Sequence, residues 1–266
     1  MVGSSGSGKS LLAHAVLGLL PRNARRSGEI RYRGEILDAK RRRDCLGTEI
    51  AYIPQGVDYL DPTMRVGKQV VGLHGTRERQ EELFRRYQLP EDTARKYPFQ
   101  LSGGMARRVL IAAAVMGSPR LIVADEPTPG LSVDLAMETL RHFRTLADEG
   151  AAVLLITHDV DLALRAADHM AVFYAGTVLE TAPVADFLSG GEALRHPYSR
   201  ALMAALPQNE FRPLPGTQPY AGHLPSGCLF ASRCPLRDEA CAGEIPLRMV
   251  RGGEVRCVHA LEGRTH

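Results

Sequence analysis

Long apolar runs are what this sequence has least of. The longest, Val109–Met116, falls well short of the roughly eighteen residues that a membrane-crossing helix needs, so no span is predicted. No leader is expected either, with only Met1 and Val2 ahead of the first glycine-rich loop. A cytoplasmic chain that docks on a membrane protein is therefore expected. Excess charge of either sign is also absent. The 33 Lys and Arg against 30 Asp and Glu leave a net charge of +3, too small to argue for a nucleic-acid partner. Cysteine is scarce over most of the chain. Cys45 stands alone, and Cys228, Cys234, Cys241 and Cys257 all crowd into the tail. The remaining composition is that of an ordinary globular protein, and 266 residues allow one or two domains with a full core.

What is present begins at once. Gly3-Ser4-Ser5-Gly6-Ser7-Gly8-Lys9-Ser10 reads G-x-x-x-x-G-K-S/T, the phosphate-binding P-loop. Its glycines let successive N–H groups turn towards one anion. Lys9 would reach the β- and γ-phosphates, and Ser10 would offer its hydroxyl to Mg²⁺. The apolar segment from Leu11 to about Leu20 predicts a helix whose positive end faces the same phosphates.

Further along, the alternating segment Gly28–Gly34 predicts an edge strand, and Arg41–Arg43 a solvated face. Ile50–Ile53 predicts a strand stopped by Pro54, with Gln55 placed for a ligand at its end. Residues 57–117 read as a mainly helical insertion, in which Leu83, Phe84 and Tyr87 form a packing stripe. Ser102-Gly103-Gly104 opens a second helix N-terminus, again suited to an anion. The continuous apolar run Leu121–Ala124 predicts a strand buried on both faces, ending in Asp125 and Glu126. Two carboxylates there need a metal or a charged partner. In a P-loop protein the first holds Mg²⁺ and the second can orient or deprotonate the attacking water. A helix over about residues 135–147 and the strand Ala152–Ile156 follow, and the strand delivers His158 to the same side of the sheet. A last helix and the strand Met170–Tyr174 close the α/β pattern.

The order P-loop, Gln55, Leu101–Met105, Leu121–Pro127, Ile156–Asp159 resembles the nucleotide-binding subunit of an ATP-binding cassette (ABC) transporter. The resemblance implies an α/β P-loop NTPase fold with a parallel-rich central sheet, an inserted helical subdomain and a loop-rich C-terminal extension. The ATPase domain is expected over 1–190 and the extension over 191–266. By the same resemblance Gly3–Ser10 is the Walker A motif, and Gln55 the Q-loop residue near Mg²⁺ and water. Ser102, Gly103 and Gly104 are the signature motif that binds ATP held by the opposite subunit. Asp125 is the Walker B metal residue, Glu126 the catalytic base and His158 the switch histidine at the γ-phosphate. The cofactors implied are ATP and Mg²⁺.

The tail narrows the resemblance. His196–Ser199, a Pro-rich stretch and the four cysteines are similar to the extension of oligopeptide, dipeptide and nickel importer ATPases, as is Asp61–Met64. Four thiols in a cytosolic setting leave structural zinc or an iron–sulfur cluster open, and the resemblance favours a 4Fe–4S cluster. It further implies a sister ATPase or a second copy, two transmembrane permease subunits and an extracytoplasmic substrate-binding protein. The chain would then sit on the cytoplasmic face of the membrane and power import of peptides, nickel or metal–chelator complexes.

Two departures from the family pattern matter. The N-terminal strands, with the aromatic residue that stacks on adenine, have no counterpart before Met1. This implies either a late start or a truncated cassette with weakened hydrolysis, serving as structural partner to a sister ATPase. Ser132 stands where the family has Asp, which implies a heterodimer with one weaker site.

Overall fold

The computed structural model describes residues 1–73, 75–189 and 191–260. In chain order the elements begin with β1 (Val2–Gly3), α1 (Lys9–Leu17), β2 (Arg31–Tyr32), β3 (Glu35–Ile36), α2 (Ala39–Cys45) and β4 (Ile50–Ile53). A helical stretch follows, with α3 (Val66–Val71), α4 (Arg77–Arg86), two 3-10 turns and α5 (Gly103–Val115). Then come β5 (Leu121–Asp125), α6 (Val133–Asp148), β6 (Ala152–Ile156), α7 (Val160–Ala166), β7 (His169–Tyr174) and β8 (Thr177–Pro183). The tail adds α8 (Val184–Leu188), α9 (Pro197–Ala204), two further 3-10 turns, β9 (Arg248–Val250) and β10 (Gly253–Val255).

The chain divides into two compact units. One joins Met1–Lys9 to His158–His266, and the other is Ser10–Thr157. These units cut the chain elsewhere than at 190/191. The reason is visible in the first unit, where one five-stranded sheet runs β1-β7-β8-β10-β9. β1 lies parallel to β7, with Val2 opposite Val172, and the other pairs are antiparallel. The tail hairpin β9–β10 thus extends the sheet that carries β1. The core of this unit gathers Val2, Met170, Val172, Tyr174, Leu179, Phe187, Tyr198 and Phe230.

The second unit holds the parallel sheet β4-β5-β6, in register from Ile50↔Leu121 and Leu121↔Ala152. β5 is buried on both faces, as its unbroken apolar run requires. α5 and α6 turn apolar faces inward, with Val109, Ile111, Ala112 and Val115 on α5 and Leu140 and Phe143 on α6 all buried. The stripe on α4 is packing: Leu83 and Phe84 are buried, and Tyr87, capping α4, meets Nδ1 of His142 on α6.

Two local readings change. β2 pairs with β3 in a two-stranded hairpin, because Arg33 and Gly34 both take positive φ and form a tight turn. The Arg41–Arg43 run lies on α2, where Arg41 pairs with Glu35 at 2.7 Å and Arg42 donates to the Leu37 carbonyl at 3.1 Å. Among the described residues no helix is long and apolar enough to cross a membrane.

Candidate functional site

One candidate site is the P-loop. β1 is anchored beside β7 so closely that a Cβ on Gly3 would meet the Phe173 carbonyl oxygen at 2.2 Å. The loop then curls through Gly6 and Gly8 at φ of +73° and +100°, values that a side chain would oppose. Ser7 is buried, and its carbonyl accepts from the Gly176 N–H at 2.8 Å. Lys9 opens α1 with its ammonium turned back into the loop, donating to the carbonyls of Gly3 and Ser4 at 2.9 Å each. A glycine-rich turn, the start of a helix and a buried cation meet here, an arrangement suited to an anion. In the same unit, Gln218 of the tail reaches the loop, accepting from the Ser4 hydroxyl at 2.9 Å and donating to the Gly6 carbonyl at 3.3 Å. His158, also of this unit, is exposed and immediately precedes Asp159, the N-cap of α7.

Another lies at the C-terminal end of the parallel sheet, within the other unit. Asp125 ends β5, 1 % exposed, and Glu126 follows at 6 %. Glu126 takes φ of +48°, an uncommon backbone for a residue with a side chain. Its N–H donates to the Ile156 carbonyl at 2.9 Å, and its carboxylate accepts from the Thr157 hydroxyl at 3.3 Å. The strained turn therefore re-aims the second carboxylate away from the strand's own alternation.

Arg107 on α5 gathers this end of the sheet. It donates to the Pro54 carbonyl at 2.5 Å and to the Gln55 carbonyl. Burial pulls its guanidinium below the usual arginine range, against the opposing pull of Glu126 and Asp125. Tyr52 on β4 is half-buried: burial and then the Asp125 charge push its phenol well up, and His14 Nε2 lies 3.1 Å from its oxygen. Gln55 itself is exposed at the end of β4. Ser102 caps α5 by accepting from the Met105 N–H at 3.3 Å, and Gly103 begins the helix. Gly104 stands where a Cβ would meet the Gly130 carbonyl oxygen at 3.2 Å.

Gln55, Asp125, Glu126 and Ser102–Gly104 thus share one unit with Ser10, while Gly3–Lys9 and His158 share the other. Reading the sequence missed Arg107 and Tyr52. An arginine on the buried face of an otherwise apolar helix was the available signal for the first. For Tyr52 there was none beyond its place on the strand.

A family model described as ABC transporter matches residues 1–129, and one described as oligopeptide/dipeptide transporter, C-terminal region, matches residues 179–241. The dipeptide transport ATP-binding protein DppD of Escherichia coli (strain K12) is 37 % identical over 286 residues, covering 98 % of this chain and 86 % of that protein. The chain is an ABC transporter ATPase. A protein of Brucella abortus (strain 2308) named for peptide import and ATP binding is likewise 37 % identical, over 97 % of this chain and 83 % of its own. Among solved structures, an ATP-binding cassette captured as a dimer in a post-hydrolysis state with ADP and Pi aligns with a TM-score of 0.61. It is 25 % identical and covers 69 % of the ATPase and 83 % of that chain. The expected α/β P-loop fold, ATP and Mg²⁺ follow from this membership.

The donor set suits Mg²⁺. Ser10 hydroxyl, Gln55 amide and Asp125 carboxylate are all oxygen ligands, the kind a hard cation takes, and a carboxylate as buried as Asp125 needs positive charge nearby. The four cysteines of the tail lie within electrostatic reach of one another. Burial pushes the Cys257 thiol up to about 11, and Cys228, Cys234 and Cys241 add to the rise. Yet the one group of three or more Cys, His, Asp or Glu donors within 4.8 Å of each other, among the described residues, contains only Cys241 of the four.

Proposed function

We propose that this ATPase hydrolyses ATP to drive import of peptides across the cytoplasmic membrane, peripheral to its cytoplasmic face. In this reading Gly3–Lys9 hold the β- and γ-phosphates and His158 contacts the γ-phosphate. Glu126 positions the attacking water and takes its proton. Ser10, Gln55 and Asp125 would hold Mg²⁺, which neutralises charge on the β- and γ-oxygens when bound. Ser102, Gly103 and Gly104, at the positive end of α5, serve the nucleotide held by a second ATPase subunit, a sister chain or another copy. Two permease subunits and an extracytoplasmic binding protein complete the assembly.

The observation that carries the catalytic reading is the buried Asp125–Glu126 pair, with Glu126 turned out of the strand at positive φ beside Thr157. Phosphoryl transfer to water needs positioning and charge stabilisation more than covalent chemistry. A fixed second carboxylate supplies the positioning. Peptide as cargo is supported by the matched C-terminal region and by the name of the Escherichia coli relative. Ser132, at the N-cap of α6 where the family has Asp, supports a heterodimer with one weaker site.

The test is Glu126→Gln in the assembled transporter. Hydrolysis should fall by at least about 10²-fold with ATP binding kept. Uptake of labelled dipeptide should stop with it. Uptake of nickel or of a metal–chelator complex in place of peptide would replace the cargo. Unchanged hydrolysis would remove Glu126 from the mechanism.

A further inference from the structure

On the reading that Gly3–Lys9 hold nucleotide phosphates, we propose that Gln218 is a positioning residue for the nucleotide: from the tail, it holds the P-loop in the shape that receives phosphate. Loop and tail segment belong to one compact unit, although 212 residues separate Gly6 from Gln218 along the chain. Gly6 and Gly8, at positive φ, let the loop curl, and the same freedom lets its peptides turn over. A carbonyl turned towards a phosphate would repel it. Protein donors hold two of these carbonyls. Gln218 Nε2 donates to that of Gly6 at 3.3 Å, and the Gly176 N–H donates to that of Ser7 at 2.8 Å. Gln218 Oε1 accepts from the Ser4 hydroxyl at 2.9 Å. The Gly6 carbonyl can only accept, so the NH₂ side of the amide has to face it. One amide thus spans the turn from Ser4 to Gly6, with its donor and its acceptor both used.

The segment that presents Gln218 is itself held. Pro213, Pro215 and Pro219 each fix φ, and Pro219 also confines Gln218 to extended backbone. Arg233 pins the segment from behind. It donates to the carbonyls of Pro215 and Leu214 at 2.7 and 3.1 Å, and to the Tyr174 phenol oxygen at 3.2 Å. Tyr174 lies on β7, the strand beside β1, so segment and loop are referred to the same sheet. Tyr198 on α9 touches the loop as well: burial raises its phenol, and hydrogen bonds from Ser4 oppose the rise. Ser4, Ser5, Thr217 and Gln218 border a cavity of about 460 Å³. Close packing therefore does not press the segment onto the loop, and the Gln218 amide makes the connection.

Gln218→Met keeps the length of the side chain and removes the amide. In the full chain it should raise the Kd of Mg-ATP about tenfold, the worth of two hydrogen bonds. Mg-tripolyphosphate, which has neither base nor ribose, should lose the same factor. In the assembled transporter KM for ATP should rise while kcat at saturation stays within about twofold, a split that a general loss of structure would not give. Gln218→Ala, measured beside it, should behave alike, so a folding failure of one variant leaves the other. Adding Ser4→Ala to Gln218→Met should cost little more than Gln218→Met alone, because the two side chains share one bond. Wild-type affinity in the Gln218 variants, tighter binding, a loss confined to ATP, or a lower kcat at unchanged KM would each overturn the proposal. Lys9→Ala separates this from the reading beneath it and should abolish binding of both ligands. If it does and Gln218→Met binds as the wild type, only the role of Gln218 falls. If Lys9→Ala binds as the wild type, the P-loop reading falls too.

Discussion

Arg107 shows how one residue couples two motifs. Its donors reach the backbone at Pro54 and Gln55, and its charge faces Asp125 and Glu126. Arg107 in this way fixes the end of β4 to the helix that Gly103 and Gly104 begin. Arg107→Met should therefore act on turnover. We expect kcat to fall about tenfold while ATP affinity stays within a few-fold, and Arg107→Lys to recover part of the loss. An equal loss in binding would make it a ligand contact instead. Two buried histidines set a pH dependence. Burial lowers His142 to about 4 and His196 to about 3, against about 6.5 in the unfolded chain. His196 must also keep Nδ1 unprotonated, because it accepts from the Tyr198 N–H at 3.0 Å. Between those values the unfolded chain binds protons that the folded chain does not, so stability falls as pH drops from about 6.5 towards 4. Denaturant midpoints across that window should show the slope, and His142→Gln should flatten its upper part.

At the scale of elements, the tail is fastened to β8 by a buried ion pair. Glu180, 0 % exposed, accepts from the N–H groups of Arg195 and His196 at 2.8 and 3.0 Å. The Arg195 guanidinium, 1 % exposed, meets Asp186 at 2.7 Å and Glu180 at 3.3 Å. It also donates to the carbonyls of Val250, at 2.5 Å, and Arg251, at the turn of β9–β10. One side chain thus links β8, α8 and the hairpin. Removing it strands a buried carboxylate, so Arg195→Met should cost about 3–5 kcal/mol. Urea unfolding of the full chain measures this, and a loss under 1 kcal/mol would mean that water reaches Glu180. Nothing in the sequence pointed to this pair, since an Arg ahead of His196-Pro197 reads as an ordinary loop residue. The helices and strands were far more legible. β5, β6 and α6 stand within two residues of expectation, because their apolar spacing alone decides which face is buried.

For the whole molecule, the proposed reading makes the Ser102–Gly104 loop and the P-loop serve nucleotide held between two ATPase chains. ATP should then act as the link between them. With Glu126→Gln to stop hydrolysis, sedimentation should show dimers in Mg-ATP and monomers in Mg-ADP, for this chain alone or mixed with a sister subunit. Monomers under every condition would argue that the permeases, not the nucleotide, hold the pair together.

The sequence by itself determined the anion-binding loops, the carboxylate-bearing strand and membership of the family. Those features are local: a glycine at positive φ, an apolar run and a polar residue at its end are written in neighbouring residues. Only the tertiary structure decided what stands behind them. Arg107 and Gln55, Glu180 and Arg195, Asp238 and His259 are far apart along the chain, and no spacing rule links them. Their partnerships exist because sheet register and helix packing bring distant side chains together, where burial makes each unpaired charge or donor costly enough to fix its partner.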